Sequence, residues 1–113
     1  MAAYVVEAPR DISDLYLFNH KFSLFIAGSI SNTRNWQKEL IERLENLNIS
    51  IYNPRRDNFD TSDLDASIQQ IKWEYKFLQK VQCISFWFSN ETVAPITLFE
   101  LGCYLNSNKK IFV

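Results

Sequence analysis

Apolar side chains fall along the chain in short unbroken runs, separated by longer stretches in which they recur every three or four positions. Phe22-Ser-Leu-Phe-Ile-Ala is one such run, closed by Gly28-Ser29, which is the pattern of a buried strand entering a turn. Beyond it Trp36, Leu40, Leu44 and Leu47 are spaced by four, four and three residues, which predicts a helix with one apolar face and Ser31, Asn32 or Thr33 as its cap. Asn48-Ile-Ser-Ile-Tyr predicts a second strand ended by Asn53-Pro54, and the polar stretch Arg55 to Asp65 predicts a loop. That loop is long for a compact domain, and long ordered loops tend to carry function.

A second helix, from about Ala66 to Lys80, places Ile68, Ile71, Tyr75 and Leu78 along one stripe with Glu74 at its edge. Val81 to Phe88 is almost continuously apolar, as in a strand buried on both faces of a parallel sheet. Ser89 to Pro95 leaves the C-terminal end of that strand, a third helix runs from Ile96 to about Asn106, and Lys109 to Val113 opens another strand. The alternation predicts an α/β fold: an open parallel sheet with right-handed crossovers and helices on both faces. Residues 1–21, with Tyr4-Val-Val-Glu-Ala-Pro, form either an edge strand or an extended arm, so the expected sheet has four to five strands. A sheet of this type that ends at Val113 lacks its fifth strand unless the N-terminal arm or a second subunit supplies it. Ligands of such sheets bind beyond the C-terminal strand ends, which the loops after Ala27, Tyr52 and Phe88 all leave.

The chain of 113 residues suits one domain spanning 1–113, and 47% aliphatic and aromatic residues broken by only 2 Gly and 3 Pro are the balance of a packed globule. With 12 Lys and Arg against 13 Asp and Glu there is no electrostatic footprint for a nucleic-acid polymer or an anionic membrane. The expected ligand is therefore a small molecule. Cys83 and Cys103 lie within apolar stretches and make no disulfide framework, and no apolar run approaches the ~20 residues that span a bilayer, which points to a cytoplasmic protein. His20 is the only histidine, so neither a His-based triad nor a His or Cys metal site has material to work with, and no cofactor is expected.

Four places carry candidate chemistry. Gly28-Ser29 is either a plain strand-to-helix turn or a phosphate or sugar site at a helix N-terminus. Glu100, within Thr97-Leu-Phe-Glu-Leu-Gly, is either an acid favoured by the helix dipole or a carboxylate directed into the cleft by Leu98, Leu101 and Leu105 around it. Glu74 either faces Glu100, as a second carboxylate for acid/base work, or pairs on the surface with Lys72 or Lys80. Arg55 and Arg56 suit an anion, with Asp57, Asp60 and Asp63 as competing partners. Trp36, Trp73 and Trp87 read as core, although an aromatic near the cleft, Trp87 foremost, can stack on a base, and Asn90 lies in the loop just beyond it.

Taken in order, Phe25-Ile-Ala-Gly-Ser-Ile, Asn53-Pro-Arg-Arg, Gln70-Ile-Lys-Trp-Glu, Ile84-Ser-Phe-Trp-Phe and Leu98-Phe-Glu-Leu-Gly resemble the nucleoside 2-deoxyribosyltransferase-like family over about Phe22 to Val113. The resemblance implies a flavodoxin-like domain in which the Glu of the Glu-Leu-Gly motif, here Glu100, attacks the anomeric carbon of a 2-deoxyribonucleoside. A covalent glycosyl-enzyme then passes the sugar to water or to a second base. It places Glu74 at the second acid, Gly28 and Ser29 at the phosphate of a nucleoside 5'-monophosphate, and the chain in a homo-oligomer whose neighbours help to build the site; Arg55 and Arg56 either replace phosphate contacts or brace their loop, and Asn90 and Trp87 are further candidates for binding the nucleoside. The pattern is departed from where Glu74 replaces Asp, where Ala94 replaces a small polar residue six before the nucleophile, and where Gln82 replaces an Asp. Two readings follow: cleavage or transfer at the N-glycosidic bond, or a nucleotide-binding module with the same fold and no turnover.

Overall fold

A computed structural model describes residues 3–11, 22–30, 32–57, 59–60 and 62–113. His20 and Ser31 lie outside the described residues. Five parallel strands, β1 (Tyr4–Glu7), β2 (Phe22–Ala27), β3 (Ile49–Asn53), β4 (Cys83–Phe86) and β5 (Lys110–Phe112), form one sheet in the order β1-β3-β2-β4-β5. Three helices are described, α1 (Trp36–Leu44), α2 (Leu64–Lys80) and α3 (Pro95–Tyr104). The fold is the expected flavodoxin-like α/β arrangement. Tyr4–Glu7 is an edge strand, paired in parallel with β3 from Tyr4↔Ser50 to Glu7↔Asn53, and it supplies the fifth strand.

Alternation along the central strands sorts the core into two layers. Phe25 and Ala27 of β2, Tyr52 of β3 and Ile84 and Phe86 of β4 pack against Trp73, Phe77 and Leu78 of α2, with Leu101 and Tyr104 of α3 closing the layer. Ile26 and Ile51 point the other way and meet Trp36, Leu40, Ile41 and Leu44 of α1. Thus α1 covers one face while α2 and α3 lie together on the other.

Several boundaries differ from the sequence reading for local reasons. Helix α1 is capped by Asn35, whose Oδ1 accepts from Lys38 N at 3.1 Å, rather than by Asn32 or Thr33; Asn32 instead takes a left-handed turn with φ 59°. Leu47 lies beyond the helix and is exposed. Helix α2 starts at Leu64 because Asp63 caps it through Ala66 N. Its buried face is not the expected stripe: Gln70, Trp73, Phe77 and Leu78 face the sheet, while Ile68, Ile71 and Tyr75 face outward. Two apolar stripes compete on this helix, and the larger ring surfaces of Trp73 and Phe77 win the core. Strand β4 ends at Phe86, and Cys103 is exposed on α3 rather than buried.

Gly28 ends β2 where Trp36 and the Trp87 backbone close over it. A Cβ there would collide with Trp36 Cζ2 and lie 2.7 Å from the Trp87 carbonyl oxygen. Gly28→Ala is therefore expected to lower stability by about 2–3 kcal/mol, read as a lower urea midpoint at unchanged slope.

Candidate active site

The strand order sets where a ligand can enter. Strand β2 sends its connection through α1 to β3 on one side, and β4 sends its connection through α3 to β5 on the other, so the C-terminal ends of β2 and β4 part at a topological switch point. A cleft of about 210 Å³ opens there. Gly28, Ser29 and Asn32 after β2 form one wall, Thr92 to Thr97 at the start of α3 form another, and Glu74 and Glu100 close it.

Because α2 and α3 share a face of the sheet, the two glutamates meet. Both are half-buried, both line the cleft, and each affects the titration of the other. Burial raises the pKa of Glu100, and the charge and hydrogen bond of Glu74 raise it further, to about 8. Burial also raises Glu74, but hydrogen bonds from Gln70 and Glu100 and the positive charge of Arg56 oppose it. Like charges this close do not ionise together at neutral pH, so the pair holds one proton between its members. Glu74 is thus neither the Lys72 nor the Lys80 partner considered above; its carboxylate turns inward, where Gln70 Nε2 donates to it at 3.0 Å.

Gln70 is itself buried, with 3% of its surface exposed. Its Nε2 donates to the Pro54 carbonyl oxygen at 2.7 Å as well as to Glu74, while its Oε1 is buried with no hydrogen-bond partner among the described residues. On the other wall, Gln37 is fully buried; its Nε2 donates to the Ser29 carbonyl oxygen at 2.9 Å and its Oε1 accepts from Arg55 Nη1 at 3.1 Å. Trp36 Nε1 donates to the same Ser29 carbonyl oxygen at 3.1 Å. The Gly28-Ser29 turn is therefore held from behind by two side chains of α1.

The arginines are placed as braces. Arg55 donates to the carbonyl oxygens of Arg34 and Thr33, each at 2.7 Å, and so pins the loop after β2 to the end of β3. Arg56 donates to the Ala66 carbonyl oxygen at 2.7 Å and to Gln69 Oε1 at 3.1 Å, and lies over the Phe59 ring. Neither makes an ion pair with Asp57, Asp60 or Asp63 among the described residues. Trp87 packs on Trp36, ring centroids 5.1 Å apart, beside the Arg34 guanidinium, and Asn90 is exposed; neither lines the cleft.

Of the residues singled out from sequence, the structure gathers Gly28, Ser29, Glu74 and Glu100 around one cavity. Gln37 and Gln70 were missed as site residues. Their signal is a polar side chain on the buried face of a helix, visible only once that face is known. Ala94 caps α3 without a side-chain bond and lines the cleft. Gln82 sits at the opposite end of β4, where its Oε1 accepts from Ser23 N at 3.1 Å and its N donates to Ser23 Oγ at 2.9 Å. That departure clamps β2 to β4 and stays clear of the cleft. Among the described residues no His, Cys, Asp or Glu side chains gather as a metal requires, and no described helix is long and apolar enough to cross a membrane.

A family model described as "Nucleoside 2-deoxyribosyltransferase like" matches residues 21–113, and the chain belongs to that family. No curated protein matches the chain.

The shared proton has a consequence for stability. A carboxyl raised from its ordinary 4.5 to about 8 holds its proton in the folded chain while the unfolded chain has lost it. Stability is then greatest below pH about 4.5 with respect to this group and falls as pH rises to about 8. Urea unfolding across this range should show a decline on the order of 2–4 kcal/mol that is smaller in Glu100→Gln.

Proposed function

We propose, from membership of the nucleoside 2-deoxyribosyltransferase-like family, that the chain is an enzyme acting at the N-glycosidic bond of 2-deoxyribonucleosides or their 5'-monophosphates, with Glu100 as nucleophile and Glu74 as its proton partner. The observation that carries the reading is the pair of half-buried carboxyl groups, Glu74 and Glu100, that together close the switch-point cleft. An oxygen of Glu100 bonds to the anomeric carbon as the bond from that carbon to the base nitrogen breaks. The Glu100 proton passes to Glu74 and on to the departing base, so the pair ends with Glu74 ionised and Glu100 esterified. Water, or a second base, then attacks the anomeric carbon, the ester bond breaks, and the proton released by the attacking group returns to the pair. One proton serves both as the cost of an otherwise doubly charged site and as the acid that the leaving base needs.

The cleft suits a sugar: Ser29, Asn32 and Thr97 offer polar groups on walls that Glu74 and Glu100 close. The same two carboxyl groups also border an apolar groove of about 700 Å³ between α2 and α3, lined by Ile71, Tyr75, Ile96 and Phe99. A base against this wall lies on the leaving-group side of Glu74. The groove is larger than a base covers, and Tyr75 and Phe99 are 66% and 72% exposed, so the reading includes a second copy of the chain packed on this face to complete the site. Light scattering is expected to give a homo-oligomer, and Phe99→Asp a monomer with a raised KM; a monomeric parent protein would remove the second copy from the reading.

Chromatography of free base after incubation with the four deoxynucleosides and their monophosphates, with and without an acceptor base, tests the chemistry. Base release should fall at least about 1,000-fold in Glu100→Gln with the fold intact. Acceptor dependence would mark transfer, and its absence hydrolysis. Undiminished release in the variant sinks the assignment of Glu100, and no release by the folded parent protein at any substrate leaves a nucleotide-binding module.

A further inference from the structure

Gln70 lies one helical turn before Glu74 on α2, and its amide can point only one way. The Pro54 carbonyl oxygen, 2.7 Å from Nε2, has no proton to give, and Glu74 Oε2 lies 3.0 Å from the same nitrogen. Turning the amide over would set its oxygen against two acceptors. The observed orientation is kept even though it leaves Oε1 buried without a partner among the described residues. Glu74 therefore receives an N–H that can never become an acceptor for its own proton, while Glu100 receives nothing comparable from α3.

We propose that Gln70 is a positioning residue that directs the single proton of the glutamate pair onto Glu100 and keeps Glu74 as the acceptor. Resting on the catalytic reading above, this makes Gln70 the group that loads the nucleophile with the proton destined for the leaving base. Arg56, from the loop before α2, acts in the same sense through its charge on Glu74. Glu100, Cys103 and Tyr104 from α3 and Tyr75 from α2 line the groove that both carboxyl groups border. None of these supplies a fixed donor to Glu74 as Gln70 does.

The test is a carbon NMR titration of the glutamate carboxyl groups, with Glu74 and Glu100 assigned from Glu74→Gln and Glu100→Gln, in the parent protein and in Gln70→Met. Between the two titration steps of the pair the parent should show Glu100 protonated and Glu74 ionised. In Gln70→Met, occupancy should move toward Glu74, and the two midpoints of the pair should together rise by about one pH unit, because the doubly ionised state loses a donor. Glu74 protonated in the parent, or a pair unmoved by Gln70→Met, overturns the proposal. Should Gln70→Met fail to fold, the Gln70 side-chain amide protons of the parent decide: they should shift with the protonation of Glu74, and a flat response overturns the proposal equally. Base release measured on the same samples separates the two claims. A proton placed as stated in a protein that releases no base removes the catalytic reading alone, whereas release with an unmoved pair removes the role of Gln70 alone.

Discussion

Two half-buried carboxyl groups that close one cleft do not both carry charge at neutral pH, and the juxtaposition of Glu74 and Glu100 imposes that constraint on everything around it. Left alone, such a pair would destabilise the fold at the sheet edge. It is tolerated because one proton is retained, because Gln70 and Arg56 offset the charge that remains on Glu74, and because the helices that carry the pair are anchored elsewhere. Trp73 and Phe77 tie α2 to the sheet, and Leu101 and Tyr104 tie α3 to the same layer.

The topology is what brings the pair together. Crossovers that move from β3 across β2 to β4, and then from β4 to β5, put α2 and α3 on one face, and the reversal at β2 and β4 opens a cleft at their C-terminal ends. The cleft is polar toward Gly28-Ser29 and apolar toward the α2–α3 groove, with the glutamates on the boundary. That division is the one the proposed reading assigns to the sugar and the base of its substrate.

Departures from the family pattern weigh differently once they are placed. Gln82 lies at the far end of the sheet and joins β2 to β4 through Ser23, so it stands clear of the cleft. Ala94 does line the cleft and contributes no side-chain donor, which leaves the backbone of the first turn of α3 and the polar groups of the opposite wall to meet a ligand there. Arg55 and Arg56 meet protein acceptors: Arg55 holds the loop that carries the Ser29 wall, and Arg56 holds the start of α2.

From sequence alone the order of β2 to β5 and of the three helices was legible, because short unbroken apolar runs mark strands buried on both faces of a sheet and three-to-four spacings mark helices that bury one side. Glu100 was also legible as a candidate, since a carboxylate among apolar neighbours at a strand-end helix is uncommon, whereas Glu74 stood open between the cleft and a surface lysine, and Gly28 between a plain turn and a ligand site. The sequence could not say which of the two apolar stripes on α2 faces the sheet. That choice depends on the shape of the cavity between β2, β3 and β4, which Trp73 and Phe77 fill and which no local pattern encodes. The roles of Gln70, Gln37 and Arg55 followed from the same decision. A glutamine reads as surface by composition, and only the packed helix face turns it inward to meet Pro54 and Glu74, or Ser29 and Arg55. Chain-local periodicity determined the elements and the acids; the long-range pairing of parallel strands decided which side chains those acids would meet.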